Sequence, residues 1–544
     1  MRSLTCYRAF SGYPALVLAV MTLFPVWSNS LFLGKCSVSD DGWCLAPAEK
    51  LWTVRRDGAV KLRTRHVSEQ RPPLTVPQFF SQSVRRWDQR RALCVKRADK
   101  WTKITYAEYE CQTRSVARSL LKLGLQRFHG VLILGCTSPE WFMAEIGSIL
   151  AGGLAVGVDP SCSASFCQEV AIRSKAQVVI VQDPGQLEKI LQVIGKLQTS
   201  CDQPNGMCIM LKFLCFFFVF FLVSSIQWDA FLALGTDLDD VCLNEVMESQ
   251  KANQCCAVMY AAGHDNITWM AHAVCDHLNL GPNEVVVSYQ PLNDLTVQLM
   301  DLWLPLCCGG TTYFAESNGP EVSALWSLLI SVLRHSRPTI FLGCRTFWEK
   351  FQLSVADGLA VWPLMVTASS YRDYMDRFYQ LPLNFLSKLL VSNPARAALG
   401  LNHCAFCYSG TSVAPSETME FFWKLGLKML RLYGFNETCG VHGIGHPNDD
   451  PIPSCEQTVS GCLSRRAFST KCLWGRHIFM GYLDMEEETQ SVLDKDGWLY
   501  AGEDGNGVLF LRCSSAFPPV TVSASPPASL LLPMLLLEGS PSPD

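Results

Sequence analysis

At 544 residues the chain is too long for a single hydrophobic core and should divide into two or more domains. Hydrophobic residues make up 49% and charged ones 17%, and a net charge of −4 offers no electrostatic footprint for nucleic acid. The 25 cysteines are scattered, which excludes a small disulfide scaffold and reads as mostly reduced, buried thiols. Cys404 and Cys407 form a lone CxxC without the second pair that zinc spacing asks for.

Residues 1–73 form an N-terminal extension without usable periodicity, closed by Pro72–Pro73. Within it Ala15–Phe24 follows Arg2 and Arg8, the layout of a signal peptide, but no clear small-residue cleavage site follows. From Leu74 the pattern tightens. Thr105 with Glu108 is a capping box for a helix running to about Leu123, with Gly124 as its stop. Val131–Leu134 reads as a buried strand, and Ser138–Pro139 opens a helix that ends before Gly152–Gly153. Leu154–Val158 and Val178–Val181 are further strands, with a helix from about Ser163 between them. Continuous apolar strands alternating with helices predict a parallel sheet covered on both faces, so the fold class is α/β.

A second apolar stretch, Ile209–Ile226, is long enough to count as a membrane-span candidate. Its Phe crowding, its Lys212 and its abrupt end at Gln227 also match a translated pyrimidine-rich intron end, the reading favoured over a span. Beyond it Ala257–Tyr260, Glu284–Tyr289, Thr339–Leu342 and Phe406–Ser409 read as strands. Gln298–Pro305 reads as part of an apolar helix and Ser416–Leu425 as another. The α/β core therefore runs over 74–455 with an apolar insert at 206–226, a strand-rich and turn-rich subdomain over 456–511, and a Ser/Pro-rich tail over 512–544. Leu430–Gly440, LRLYGFNETCG, ends an apolar run in aromatic, glycine, amide and carboxylate, where ligands bind in α/β proteins.

Several motifs then fall in a specific order: Ser409–Gly410–Thr411, Tyr433–Gly434–Phe435–Asn436–Glu437, Cys472–Thr489 (CLWGRHIFMGYLDMEEET) and Asp494–Asp504 (DKDGWLYAGED). With TVPQFF at Thr75–Phe80, EWFMAEIGSILAGGL at Glu140–Leu154 and HDNITW at His264–Trp269, the chain resembles the adenylate-forming acyl-CoA synthetases. Among these it is most similar to the bubblegum-type long-chain fatty acid–CoA ligases. The resemblance implies a large α/β adenylation domain and a two-step reaction. A long-chain fatty acid carboxylate attacks the α-phosphorus of Mg-ATP, and coenzyme A then displaces AMP. It also implies a cytoplasmic protein, peripherally associated with the endoplasmic reticulum membrane. By matching position, Ser409, Gly410 and Thr411 would line the adenine slot, with Tyr433 stacking on the purine and Gly434 and Asn436 beside it. Glu437 would hold Mg²⁺ as the catalytic carboxylate, and Glu503 or Asp504 would take the ribose hydroxyls. Trp303 and Phe341 are candidates for an acyl tunnel and read equally well as core.

The departures from the family pattern fall on the chemistry. A Ser/Thr/Gly-rich phosphate loop ending in Pro-Lys-Gly should follow Tyr260, yet Ala261–Ala262–Gly263 lead directly into His264. Pro291–Leu292–Asn293–Asp294 stands where members read Pro-Leu-Ser-His. The hinge and small C-terminal domain expected after Phe510 are replaced by an unrelated tail. The alternatives to an active ligase are therefore a catalytically inactive acyl- or nucleotide-binding homologue, or an incomplete gene model.

Overall fold

The computed structural model describes residues 37–38, 43–64, 71–97, 99–200, 213–216, 225–258, 262–315, 322–358, 396–397, 399–410, 414–424, 427–445, 457–467 and 470–503. All of them lie in the compact unit Cys36–Asp544. The segment Ala15–Phe24 and the Ser/Pro-rich tail lie outside the described residues.

The first sheet has seven strands in the order Ala262–Gly263, Cys255–Ala257, Leu154–Val158, Gly130–Leu134, Val178–Val181, Phe213–Phe216, Ser225–Gln227. Its central strands are parallel, with Gly130 opposite Leu154 and Val131 opposite Val178. Alternate residues of one strand serve two cores: Val131 and Ile133 pack into one cluster, Leu132 and Leu134 into the other. That two-sided burial is why these strands are apolar throughout. The predicted helices form as their caps specify. Thr105 closes a complete capping box on Tyr106–Lys122. The Ser138 hydroxyl accepts the Trp141 N–H at the start of Pro139–Leu150. Part of the apolar insert, Phe213–Phe216, takes a place in this sheet parallel to Val178–Val181, as aromatic sequence suits a strand. No described helix is long and apolar enough to cross a membrane.

The second sheet joins Val285–Ser288, Thr311–Phe314, Arg91–Arg97 and Lys100–Thr105. The third runs Ile340–Gly343, Phe406–Ser409, Met429–Tyr433, Gly443–Ile444 and Gln457–Thr458, its first three strands parallel. The strand-rich region after Thr458 forms a three-stranded antiparallel sheet of Leu463–Ala467, Thr470–Trp474 and Leu499–Glu503.

The strand expected over Ala257–Tyr260 lies at Cys255–Ala257, with Met259 and Tyr260 outside the described residues, and one expected helix also differs. The apolar helix expected over Gln298–Pro305 is a composite: α-helix at Leu295–Gln298, a π-helical turn at Leu299–Trp303, then α-helix at Leu304–Cys308. Pro305 is the physical reason. Its ring excludes a normal turn over the Asp301 carbonyl, which instead accepts the Thr312 hydroxyl at 2.7 Å. Trp303 and Phe341, the two tunnel candidates, are each 1% exposed and packed in core clusters. Seventeen described cysteines are free, whereas Cys44 is disulfide-bonded.

Candidate functional site

Parallel strands deliver their carboxyl ends side by side, and here Ser409 pairs with Arg431, two residues before Tyr433. The chain then turns sharply. A Cβ on Gly434 would sit 2.2 Å from the Gly440 carbonyl oxygen, so glycine is required where the loop folds back on itself. A 3₁₀ turn follows over Asn436–Thr438. The Glu437 carboxylate is 4% exposed, with Oε1 accepting the Tyr482 hydroxyl at 2.8 Å. Its backbone carbonyl accepts the Phe479 N–H at 2.9 Å. Glu437 is thus anchored twice to the CLWGRHIFMGYLD stretch, far away in sequence.

Asn436 has a different task. Its Oδ1 accepts the Leu295 N–H at 2.8 Å, tying this loop to the segment just after Pro291–Asp294. Asp294 caps that helix, its Oδ1 accepting the Thr296 N–H at 2.7 Å, and the Thr296 hydroxyl donates to the Gly440 carbonyl. The carboxylate in place of the family's imidazole therefore has a structural use: it favours the helix start.

The remaining expected nucleotide residues divide. The Ser409 hydroxyl accepts the Ala414 N–H at 3.0 Å and is buried, while Gly410 N–H donates to the Gly343 carbonyl. Glu503 pairs with Thr470, next to Lys471, and the Lys471 ammonium lies 3.7 Å from the Tyr433 ring centroid. The structure thereby brings Tyr433, Asn436, Glu437 and the Glu503 backbone to one region. Thr411 and Asp504 lie outside the described residues. Lys471 escaped sequence reasoning, although it immediately precedes the CLWGRH motif. A purine on Tyr433 would share the ring with this ammonium or take its place, and a cation there suits phosphate charge.

Where a phosphate loop was expected, Cys255–Ala257 and Ala262–Gly263 pair antiparallel. The helix His264–Leu278 begins at once. Its first turn grips the WGRH stretch. Arg476 bonds Asp265 in two places, at 2.5 and 2.9 Å, with both side chains 2% exposed, and Asn266 donates to the Arg476 and Ile478 carbonyls. His264 Nδ1 accepts the Val76 N–H, and burial holds this imidazole down at about 3, neutral.

A further cluster lies behind Tyr433. His442, whose ring meets Tyr433 edge-on at 6.1 Å, joins His477, Cys462 and Ser464. His442 Nδ1 stands 2.9 Å from His477 Nε2, and His477 Nδ1 stands 3.4 Å from the Cys462 sulfur. His442 Nε2 reaches the Ser464 hydroxyl at 2.7 Å. The ligand-type atoms of the two histidines and the cysteine lie within 4.8 Å of one another. However, the other two meet opposite nitrogens of His477, so they form a relay instead of converging on one point. Burial lowers both imidazoles, His442 to about 3, and raises the Cys462 thiol. The sequence signal for it was that His442 follows the Tyr433–Glu437 motif and His477 lies within Cys472–Thr489.

The AMP-binding enzyme family model matches residues 80–464. The human long-chain-fatty-acid–CoA ligase ACSBG2 is 37% identical over 509 residues, covering 87% of this chain and 74% of its own length. Its Xenopus laevis counterpart is 36% identical over 85% of this chain and 66% of its own, and human ACSBG1 is 32% identical over 86% and 67%. Among solved structures, ATP-bound MatB from Rhodopseudomonas palustris aligns with a TM-score of 0.58 at 17% identity, over 79% of this chain and 76% of its own. The anthranilate CoA ligase AuaEII in complex with anthranoyl-AMP aligns at 0.60 and 14%, over 81% and 80%. The structural likenesses speak to the fold.

Proposed function

We propose, since this chain belongs to the AMP-binding enzyme family, that it activates long-chain fatty acids to acyl-CoA through an acyl-adenylate. The observation that carries this reading is the loop Tyr433–Glu437. It sits at the carboxyl end of a parallel strand, braced by Tyr482, Phe479 and Leu295. ATP and coenzyme A are the co-substrates. The fatty acid carboxylate would attack the α-phosphorus as the bond to pyrophosphate breaks, and the coenzyme A thiolate would then displace AMP.

Each residue's part follows from its surroundings. Tyr433 offers an aromatic platform for the purine, Asn436 fixes the loop against Leu295, and the Glu503 position lies beside Lys471 for the ribose. Glu437 fits Mg²⁺: it is a hard oxygen donor oriented by Tyr482, and Mg²⁺ needs few protein carboxylates when phosphates and water supply the rest. Bound there, Mg²⁺ would offset the charge developing on the phosphates. We place the protein in the cytoplasm, peripheral on the endoplasmic reticulum membrane, where an acyl substrate partitions.

A second reading, a homologue that binds acyl chain or nucleotide without turnover, is favoured by the antiparallel pairing of Cys255–Ala257 with Ala262–Gly263, which has no Ser/Thr/Gly-rich phosphate loop in the sequence between its strands. ATP–pyrophosphate exchange driven by palmitate separates the two. Palmitate-dependent exchange supports the ligase. Binding of ATP or palmitate without exchange supports the binding homologue and overturns the first reading.

A further inference from the structure

Three cysteines and a histidine gather where the helix His264–Leu278 packs on Leu304–Cys308, far in sequence from the Glu437 loop. The Cys307 sulfur lies 3.2 Å from His272 Nδ1. Cys307 and Cys308, as neighbours of the Cys275 thiol, both push it up. The Cys275 thiol reaches across to the Leu304 carbonyl at 3.8 Å, one turn before Cys307 on the facing helix, while the Cys308 thiol meets the Pro305 carbonyl of its own helix at 3.9 Å, so Cys275 sits against the short helix that carries the other two. Arg71 closes the cluster, 3.3 Å from His272 Nδ1 and 2.6 Å from Asp276. Cys307 is partly exposed, whereas Cys275 and Cys308 are buried.

We propose that Cys307 and Cys275 form a peroxide-reactive thiol pair, with Cys307 as the nucleophile, His272 as its base and Cys275 as the resolving thiol. His272 Nδ1 takes the Cys307 S–H proton. The thiolate attacks one peroxide oxygen, the O–O bond breaks, and the departing hydroxide takes the proton back from His272 as water. That leaves Cys307 as a sulfenic acid, two electrons oxidised. The Cys275 thiol then attacks the sulfenic sulfur, the S–O bond breaks, a second water leaves with the Cys275 proton, and a disulfide joins the two helices. One peroxide is reduced to two waters for two thiols oxidised. The electrostatics agree with this division of labour. The Cys275 hydrogen bond, opposed by burial and aided by His272 and Arg71, brings Cys307 down to about 6, while hydrogen bonds from its neighbours and burial raise Cys275. A thiol of this kind is attacked selectively.

The test treats the full-length protein with stoichiometric hydrogen peroxide, blocks remaining thiols with iodoacetamide and maps the peptides by mass spectrometry. The expected result is a reducible Cys275–Cys307 link formed before other cysteines react. Cys307 alkylation should also rise through pH 6 instead of near 9. In Cys275→Ser the reaction should stop at a dimedone-trappable sulfenic acid on Cys307, and His272→Asn should shift the alkylation profile upward. A Cys307–Cys308 link, or oxidation spread evenly over the buried thiols, overturns the proposal. Because the readout is covalent chemistry, it is independent of acyl activation.

Discussion

At the scale of single residues, Glu437 bears the heaviest demand. It is buried, aimed by one hydroxyl and set on a turn that only glycine at 434 allows. Glu437→Gln keeps the shape and removes the charge. Palmitate-driven exchange should fall on the order of 10²–10³-fold, with little change in folding. Exchange unchanged in that variant would remove the carboxylate from the chemistry. This residue was legible in the sequence because aromatic, glycine, amide and carboxylate stand consecutively in one loop. Tyr482, its hydrogen-bond partner, was not, since it lies 45 positions away and only the fold joins them.

At the scale of elements, the helix His264–Leu278 and the WGRH stretch form one clamp through the buried Asp265–Arg476 pair. Burial pushes the Asp265 carboxyl up while Arg476 pulls it down, so the pair is held by geometry against desolvation. Removing one partner strands a buried charge. Arg476→Ala should cost about 3–5 kcal/mol in urea unfolding, and the further change Asp265→Leu should return part of that loss. A loss below about 1 kcal/mol for the single variant would show that water reaches the pair. The sequence announced these elements well. Capping residues marked the helix starts at Thr105 and Ser138, and apolar runs marked the sheet strands. It did not announce the π turn at Leu299–Trp303, because that depends on Thr312 being at hand to satisfy the Asp301 carbonyl.

At the scale of the whole molecule, buried titratable groups set the pH range of stability. Glu145 is 1% exposed in the central core, and burial raises its carboxyl to about 8. The folded state therefore keeps a proton that the unfolded chain releases above its ordinary 4.5. Its contribution is present below pH 4.5 and is lost as pH rises toward 8, at about 1.4 kcal/mol per pH unit. Glu145→Gln should remove this alkaline loss, so thermal unfolding of variant and parent should diverge between pH 5 and 8. Parallel curves would mean that Glu145 is charged in the fold. His264 and His442, held neutral to about 3, act in the opposite sense and lose stability as pH falls below 6.5.

The chain of Ser464, His442, His477 and Cys462 constrains where its own protons can sit. A nitrogen-to-nitrogen contact of 2.9 Å holds one hydrogen, so the ring that donates across it settles the role of the other. If Ser464 gives its hydrogen to His442, both rings carry theirs on Nδ1 and the last one points at sulfur. If Cys462 gives its hydrogen to His477, both rings carry theirs on Nε2. The two imidazoles must share a tautomer and can exchange it only together, like a single two-position switch written in hydrogens behind Tyr433. Nitrogen-15 spectra of the imidazoles should show matching tautomers in both. One Nδ1–H beside one Nε2–H would break the chain.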